Sequence, residues 1–319
     1  ENTSVPFNLA QYALNGSSAK MKEQALDDIF VMEGIAIIGQ LTVFYAKPNT
    51  GKTLITIALL IEVILSGKVK AENIMYINAD DNYKGLITKL EIAEKYRFMM
   101  LAPHHKDFDV KDLIPHLKKI IEADTAKDHI IILDTLKKFT DLMDKKSSSE
   151  FMGIIRGFSS HGGTVIMLAH TNKNRDANSK VVAGGTSDVL DDADCGFTID
   201  EVKTENGLKT IIFENIKSRG NVAQESTYTY SVSPVASYVD KVMSVKKVGD
   251  ADAKKSKAER DKQLKLNKDK DVIDGRYALN EEDREKYDNI KDEDERSLSI
   301  NEKNLDTSIF DTYKKKDKK

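Results

Sequence analysis

Apolar residues come in short blocks along the middle of the chain, and the blocks change period as they alternate. Strand-length runs occupy 41–46, 73–79, 130–134, 164–169, 196–199 and 210–214. The first five are separated by segments with helical spacing: one after Gly51, then 83–95, 110–122, 148–160 and 187–192. Strands alternating with helices predict a mostly parallel sheet covered on both faces. Ile130-Ile131-Ile132-Leu133 and Val165-Ile166-Met167-Leu168 are apolar at every position, as strands buried on both sides require. Beyond Lys209 the pattern alternates, at 210–214 and 226–233, and predicts antiparallel strands finishing the sheet. Residues 1–27 are polar and mixed, with spacing for a short helix over 18–26. From about Val248 charged residues dominate, in blocks such as Glu281-Glu282-Asp283-Arg284 and Lys314-Lys315-Lys316. A segment of that kind buries too little apolar surface to offset its ordering entropy. The expected division is an N-terminal extension (1–27), an α/β core (28–247) and a largely non-globular tail (248–319) with room for helices, for example over 281–291.

Composition narrows the picture. The 319 residues suffice for one full α/β domain with appendages. Apolar residues make up 40% and charged residues 32%, which fits a proper core diluted by a polar segment. A formal net charge of −3 gives no basic field, so any nucleic-acid contact must come from a local patch. Cys195 is the sole cysteine; an intrachain disulfide is excluded, a reducing cytoplasm fits, and the residue reads as a small core hydrophobe. One Cys and scattered His cannot assemble a zinc cluster. The longest mainly apolar run, 54–65, is too short to span a bilayer and predicts a buried helix. The first residues carry neither the basic region nor the apolar stretch of a signal peptide.

The strongest chemical signal is Ala46-Lys47-Pro48-Asn49-Thr50-Gly51-Lys52-Thr53, between a strand and an apolar helix. This is the context of a Walker A loop, although Ala46 stands where the first glycine is usual. Backbone N–H groups and the helix N-terminus would face a β-phosphate there. Gly51 permits close approach, Lys52 bridges the β- and γ-phosphates, and the Thr53 hydroxyl is a ligand for Mg²⁺. Downstream, His129-Ile130-Ile131-Ile132-Leu133-Asp134 describes a buried strand that presents Asp134 at its C-terminal end, where a Walker B aspartate holds Mg²⁺ through water.

Four further stretches follow in order: Ile74-Met75-Tyr76-Ile77-Asn78-Ala79-Asp80-Asp81, Met167-Leu168-Ala169-His170-Thr171-Asn172-Lys173, Gly185-Thr186-Ser187-Asp188-Val189-Leu190-Asp191-Asp192-Ala193-Asp194, and Ile216-Lys217-Ser218-Arg219-Gly220. With the two phosphate motifs they resemble the RecA/DnaB-type P-loop ATPases over roughly 34–233. Within that group the similarity is to the small ATPases of plasmids and phages, including hexameric replicative helicases. The resemblance implies a RecA-like core that binds ATP and Mg²⁺. It implies that Asp80, where a Glu is usual, polarises the attacking water, with Asp81 a second candidate and helix capping by Asp80-Asp81-Asn82 the structural alternative. His170 would sense the γ-phosphate. The loop 171–185 would grip single-stranded DNA through Lys173, Arg175 and Lys180, by backbone contact since no aromatic residue is there to stack. Lys217 and Arg219 would reach the neighbouring subunit's nucleotide as trans-acting fingers, with Asp80, Lys52 and His170 completing the catalytic set. The expected assembly is a homo-oligomeric ring, a hexamer, whose tail binds replication or host proteins. A DNA-coating recombinase or mediator, and a KaiC-like nucleotide-controlled switch, are the other readings.

Overall fold

Every residue of Leu41–Ala46 and of Ile130–Asp134 is buried, because both strands lie inside a sheet with helices on each face. The computed structural model describes residues 10, 13–19, 29–175, 181–185 and 187–273. A small hairpin, β1 (Phe30–Met32) and β2 (Ala36–Ile37), precedes β3 (Leu41–Ala46) and α1 (Lys52–Leu65). Next come β4 (Ile74–Asn78), α2 (Tyr83–Tyr96), β5 (Met99–Leu101), α3 (Leu113–Glu122), β6 (Ile130–Asp134) and α4 (Lys145–Ser160). Then follow β7 (Thr164–Arg175), β8 (Val181–Ala183), α5 (Asp188–Asp192), β9 (Cys195–Glu205), β10 (Leu208–Lys217) and β11 (Glu225–Ser231). The last described elements are α6 (Tyr238–Met243), β12 (Lys246–Lys247) and α7 (Asp250–Ile273).

The main sheet has the order β12-β11-β10-β9-β3-β7-β6-β4-β5, with β8 paired to β7 off this path. Strands β9, β3, β7, β6, β4 and β5 run parallel, and β10 to β12 close the sheet antiparallel. On one face Leu60 of α1, Ile92 of α2 and Val242 of α6 join Phe44, Phe197 and Phe213 of the sheet. The rings of Phe44 and Phe213 meet edge to face with centroids 5.4 Å apart. On the other face Leu117, Ile155, Phe158 and Val189, from α3, α4 and α5, pack on Val43, Tyr45 and Val165. Cys195 lies in the first of these cores, as its isolation suggested.

The architecture is the α/β fold expected, with differences of local origin. The segment 110–122 opens with a 3-10 turn, Val110–Asp112, closed by reciprocal capping between Asp109 and Asp112. Helix α4 starts at Lys145 rather than 148, because the Asp144 carboxylate accepts the N–H groups of Lys146 and Ser147. The expected loop 171–185 is different in kind: β7 continues through Arg175, and β8 folds back on it antiparallel. Polar side chains gave that segment no strand period, yet its backbone is extended and pairs with β8 at Thr171 and Arg175, with a bulge between. Elements of two or three residues (β1, β2, β5, β8 and β12) are too short for any period to register. The start of the expected tail is helical: α7 docks on the sheet through Arg260, whose side chain is 3% exposed and whose guanidinium lies 2.8 Å from Glu214. The expected helix over 281–291 and most of that over 18–26 lie outside the described residues. No helix among the described residues is long and apolar enough to cross a membrane.

Candidate functional site

Parallel register brings the chemistry to one edge of the sheet. Ala46 at the end of β3 pairs with His170 of β7, and Asn78 of β4 pairs with Asp134 of β6. Ligands of open α/β sheets bind beyond the carboxyl ends of the strands, which is this edge. Ala46 is still in strand geometry, paired on both sides, so its methyl group meets no demand for glycine. The chain then turns: the Thr50 hydroxyl donates to the Lys47 carbonyl at 2.9 Å, and Asn49 and Gly51 take φ of 64° and 98°. Helix α1 begins at Lys52 with no acidic residue in its first turn, so none of its own side chains there offsets the positive end of its dipole.

Three groups converge on the Asp134 carboxylate, itself 2% exposed. Thr53 Oγ1 donates to Oδ2 at 2.8 Å, the Tyr76 hydroxyl donates to the same oxygen at 2.7 Å, and Lys52 Nζ lies 3.7 Å from Oδ1. Burial pulls the Lys52 pKa below the ordinary lysine value, opposed by Asp134 and then Asp80. Burial pushes the Tyr76 phenol well up, so it stays a donor. The Thr53 hydroxyl and the Asp134 carboxylate, hydrogen-bonded at 2.8 Å, stand side by side, where the hydroxyl could ligate Mg²⁺ and the carboxylate could hold it through water. Hard oxygen donors suit that ion. The residues therefore fit a magnesium nucleotide.

The structure separates the two acidic candidates after β4. Asp81 is held by the ammonium of Lys89, a residue 8% exposed, and by the Asn78 amide at 2.5 Å. Among the described residues only the backbone N–H of Asp80 is engaged, with Asn78 Oδ1 at 3.3 Å; its side chain is exposed and close enough for its charge to act on Lys52 and His170. Capping of α2 falls to Asn82, whose side chain accepts from the Gly85 N–H at 3.0 Å. Both ring nitrogens of His170 are buried without a hydrogen-bond partner among the described residues. Burial, then the charges of Lys52 and Lys137, lower its pKa, so the imidazole is neutral at pH 7. Lys137, exposed in the turn after Asp134, adds a cation here that the sequence reading missed; only its place after the Walker B strand pointed to it.

The remaining candidates stand apart. Lys217 ends β10 at the opposite edge and Arg219 follows in the turn beyond it, where Arg219 O accepts from the Gln40 side chain just before β3. The length of β3 separates Arg219 from Ala46 by about 20 Å. Lys217 Nζ donates to the Leu190 carbonyl at 2.8 Å and to that of Asp191, at the end of α5. Asp194 anchors the same corner: it accepts the Leu41 N–H at 2.9 Å and a two-oxygen contact from Arg156 at 2.8 Å, with Arg219 3.8 Å away. The backbones of Lys173 and Arg175 belong to β7. Their side chains, and Lys180 altogether, lie outside what is described. Also unforeseen were two contacts on the phosphate loop, from Tyr230 to Thr50 and from Lys209 to Asn49. Their separation along the chain left no local signal.

Among the described residues no cluster of three or more His, Cys, Asp or Glu could hold a metal by itself. Magnesium at a nucleotide needs fewer protein ligands, since phosphates and water complete its shell. Residues 29–176 match the family model of an AAA domain. The match covers the phosphate loop, Asp80, Asp134 and His170, and supports a nucleotide-binding P-loop ATPase domain in the first half of the chain. No curated protein matches the chain.

Proposed function

We propose that the chain is an ATP-hydrolysing motor of the RecA/DnaB type that acts on single-stranded DNA. It works as a ring, a hexamer, with nucleotide sites between subunits, as the replicative helicase of a plasmid, phage or other mobile element. Bound MgATP supplies a phosphoanhydride bond and a metal-neutralised γ-phosphate. Loop N–H groups and Lys52 hold the β- and γ-phosphates, and Thr53 with Asp134 holds the metal. Asp80 orients water and accepts its proton. A neutral His170 can donate one hydrogen bond and accept another, which suits a sensor of phosphate state. Arg219, with 55% of its side chain exposed, suits a finger directed at a neighbour, whereas Lys217 is held by α5.

The observation that carries the motor reading is the continuity of β7. The strand that passes His170 at the nucleotide edge runs on to Arg175 and so includes Lys173. Strand β8 pairs with it at Thr171 and at Arg175, with a bulge between, so a shift at His170 has a continuous backbone path to the basic segment. ATP hydrolysis should be measured with and without single-stranded DNA for wild type, Lys52→Ala and a Lys173/Arg175/Lys180→Ala triple variant. Stimulation by DNA that disappears in the triple variant, with basal turnover kept, is the expected result. Turnover indifferent to DNA sinks the DNA motor in favour of a protein-binding switch. A filament in place of a closed ring on sizing moves the reading to a DNA-coating recombinase.

A further inference from the structure

The β10–β11 hairpin extends past the nucleotide edge and lies against the outer side of the phosphate loop. Lys209 and Tyr230 are directly opposite each other in its ladder. The Tyr230 hydroxyl donates to the Thr50 carbonyl at 2.9 Å, and Lys209 Nζ donates to the Asn49 carbonyl at 3.2 Å. Tyr230 is 4% exposed, and burial pushes its phenol up, so it remains a donor throughout the working pH range. Lys209 is steadied by Glu201 at 2.9 Å. Two successive carbonyls of the loop are thus taken by one cross-strand pair.

The consequence follows from the planar trans peptide, whose C=O and N–H point in opposite directions. Holding the Thr50 carbonyl toward the hairpin aims the Gly51 N–H away from it, toward the phosphate side. Proximity is close enough to need glycine: a Cβ on Gly51 would stand 2.3 Å from the Tyr230 hydroxyl and 2.7 Å from Cζ. Its φ of 98° makes the same demand independently. A ring alone would fill this part of the core, as that of Tyr228 does two residues earlier on the same face. What the ring cannot supply is a donor to a carbonyl that precedes α1.

We propose that Tyr230 and Lys209 are positioning residues that hold the phosphate loop in its anion-binding shape from behind, so that affinity for nucleoside di- and triphosphates depends on the β10–β11 hairpin. The proposal rests on the ATPase reading above and deepens it. Neither residue touches the reacting atoms, so the loss should appear in binding and leave turnover at saturation nearly intact.

The test is titration of the full chain with fluorescent ATP and ADP in Mg²⁺, together with kcat and KM. The variants are Tyr230→Phe, Lys209→Met, Lys209→Arg and Tyr228→Phe, with Lys52→Ala as the reference for lost binding. Loss of one such hydrogen bond predicts about fivefold weaker ATP and ADP binding in Tyr230→Phe and Lys209→Met. KM should rise in step and kcat stay within about twofold. Lys209→Arg keeps a donor and should bind like wild type, as should Tyr228→Phe. Wild-type affinity in Tyr230→Phe and Lys209→Met, beside a wild type that binds far better than Lys52→Ala, overturns this proposal alone. A fall in kcat without loss of affinity overturns it too. Wild type binding no better than Lys52→Ala defeats the ATPase reading, and this proposal with it. Should Tyr230→Phe not fold, the contrast of Lys209→Met with Lys209→Arg decides.

Discussion

Replacing Asp134 by Asn preserves the side chain's shape and removes its charge, which isolates what that charge does for Lys52. The amide oxygen can take the place of Oδ2 and keep the bonds from Thr53 and Tyr76, now to a neutral acceptor. The amide nitrogen then faces Lys52 Nζ, 3.7 Å from the present Oδ1, and a lysine that is 7% exposed loses the larger of its two counter-charges, keeping Asp80. At an effective dielectric of about 20 the lost attraction is about 4 kcal/mol. Part is returned, because a buried carboxylate no longer has to be desolvated. The net destabilisation expected at pH 7 is about 2 kcal/mol. Its pH dependence is the sharper signature. The folded pKa of Lys52 already lies below its unfolded value and falls further without Asp134. Between the folded and unfolded pKa values the unfolded chain binds more protons, so stability rises with pH there. The variant gains more from that rise than wild type. Urea unfolding at pH 7 and pH 10 should show the gap between the two narrowing by about 1 kcal/mol, since one pK unit is about 1.4 kcal/mol. A gap that stays constant or widens would refute the account of Lys52 as a buried cation kept charged by Asp134.

Two other substitutions separate roles that adjacent or distant residues share. Asp80→Asn should lower kcat by about 10²-fold or more with ATP affinity unchanged. Asp81→Asn should instead cost about 1 kcal/mol in thermal or urea unfolding, by unpairing the buried Lys89, with kcat little altered; equal kcat losses in the two would reject the distinction drawn between them. Among the described residues Arg260→Met leaves Glu214 only the more distant Lys257, 3.9 Å away, and should release α7. Limited proteolysis would read this as early cleavage after Val248, with about 2–3 kcal/mol lost from global or local stability; a cleavage pattern like wild type would mean that α7 is held by something else.

Much of this protein is written in stretches of adjacent residues. The period of its apolar blocks determines the alternation of strands and helices, because side chains next to one another must share a face. The loop from Ala46 to Thr53 is legible for the same reason: a strand, a turn and a helix N-terminus are local structures, and their phosphate chemistry is mainly backbone chemistry. Asp134 could be read as the polar end of a buried strand, and it meets Thr53 because parallel register leaves that end nowhere else to go.

Tertiary structure decided what depends on choice of partner. Asp80 and Asp81 are alike in sequence; Lys89, on the next helix, takes one and leaves the other's charge to act on Lys52. The polar run after His170 looks like a loop, and only the return of β8 makes its start a strand. A highly charged helix docks because Glu214 waits on the sheet for Arg260, a pairing invisible to any hydrophobic period. Lys209 and Tyr230 reach Asn49 and Thr50 across 160 and 180 residues of chain. Contacts of that span are fixed by strand register and by the excluded volume of a packed core, and these exist only after the chain has folded.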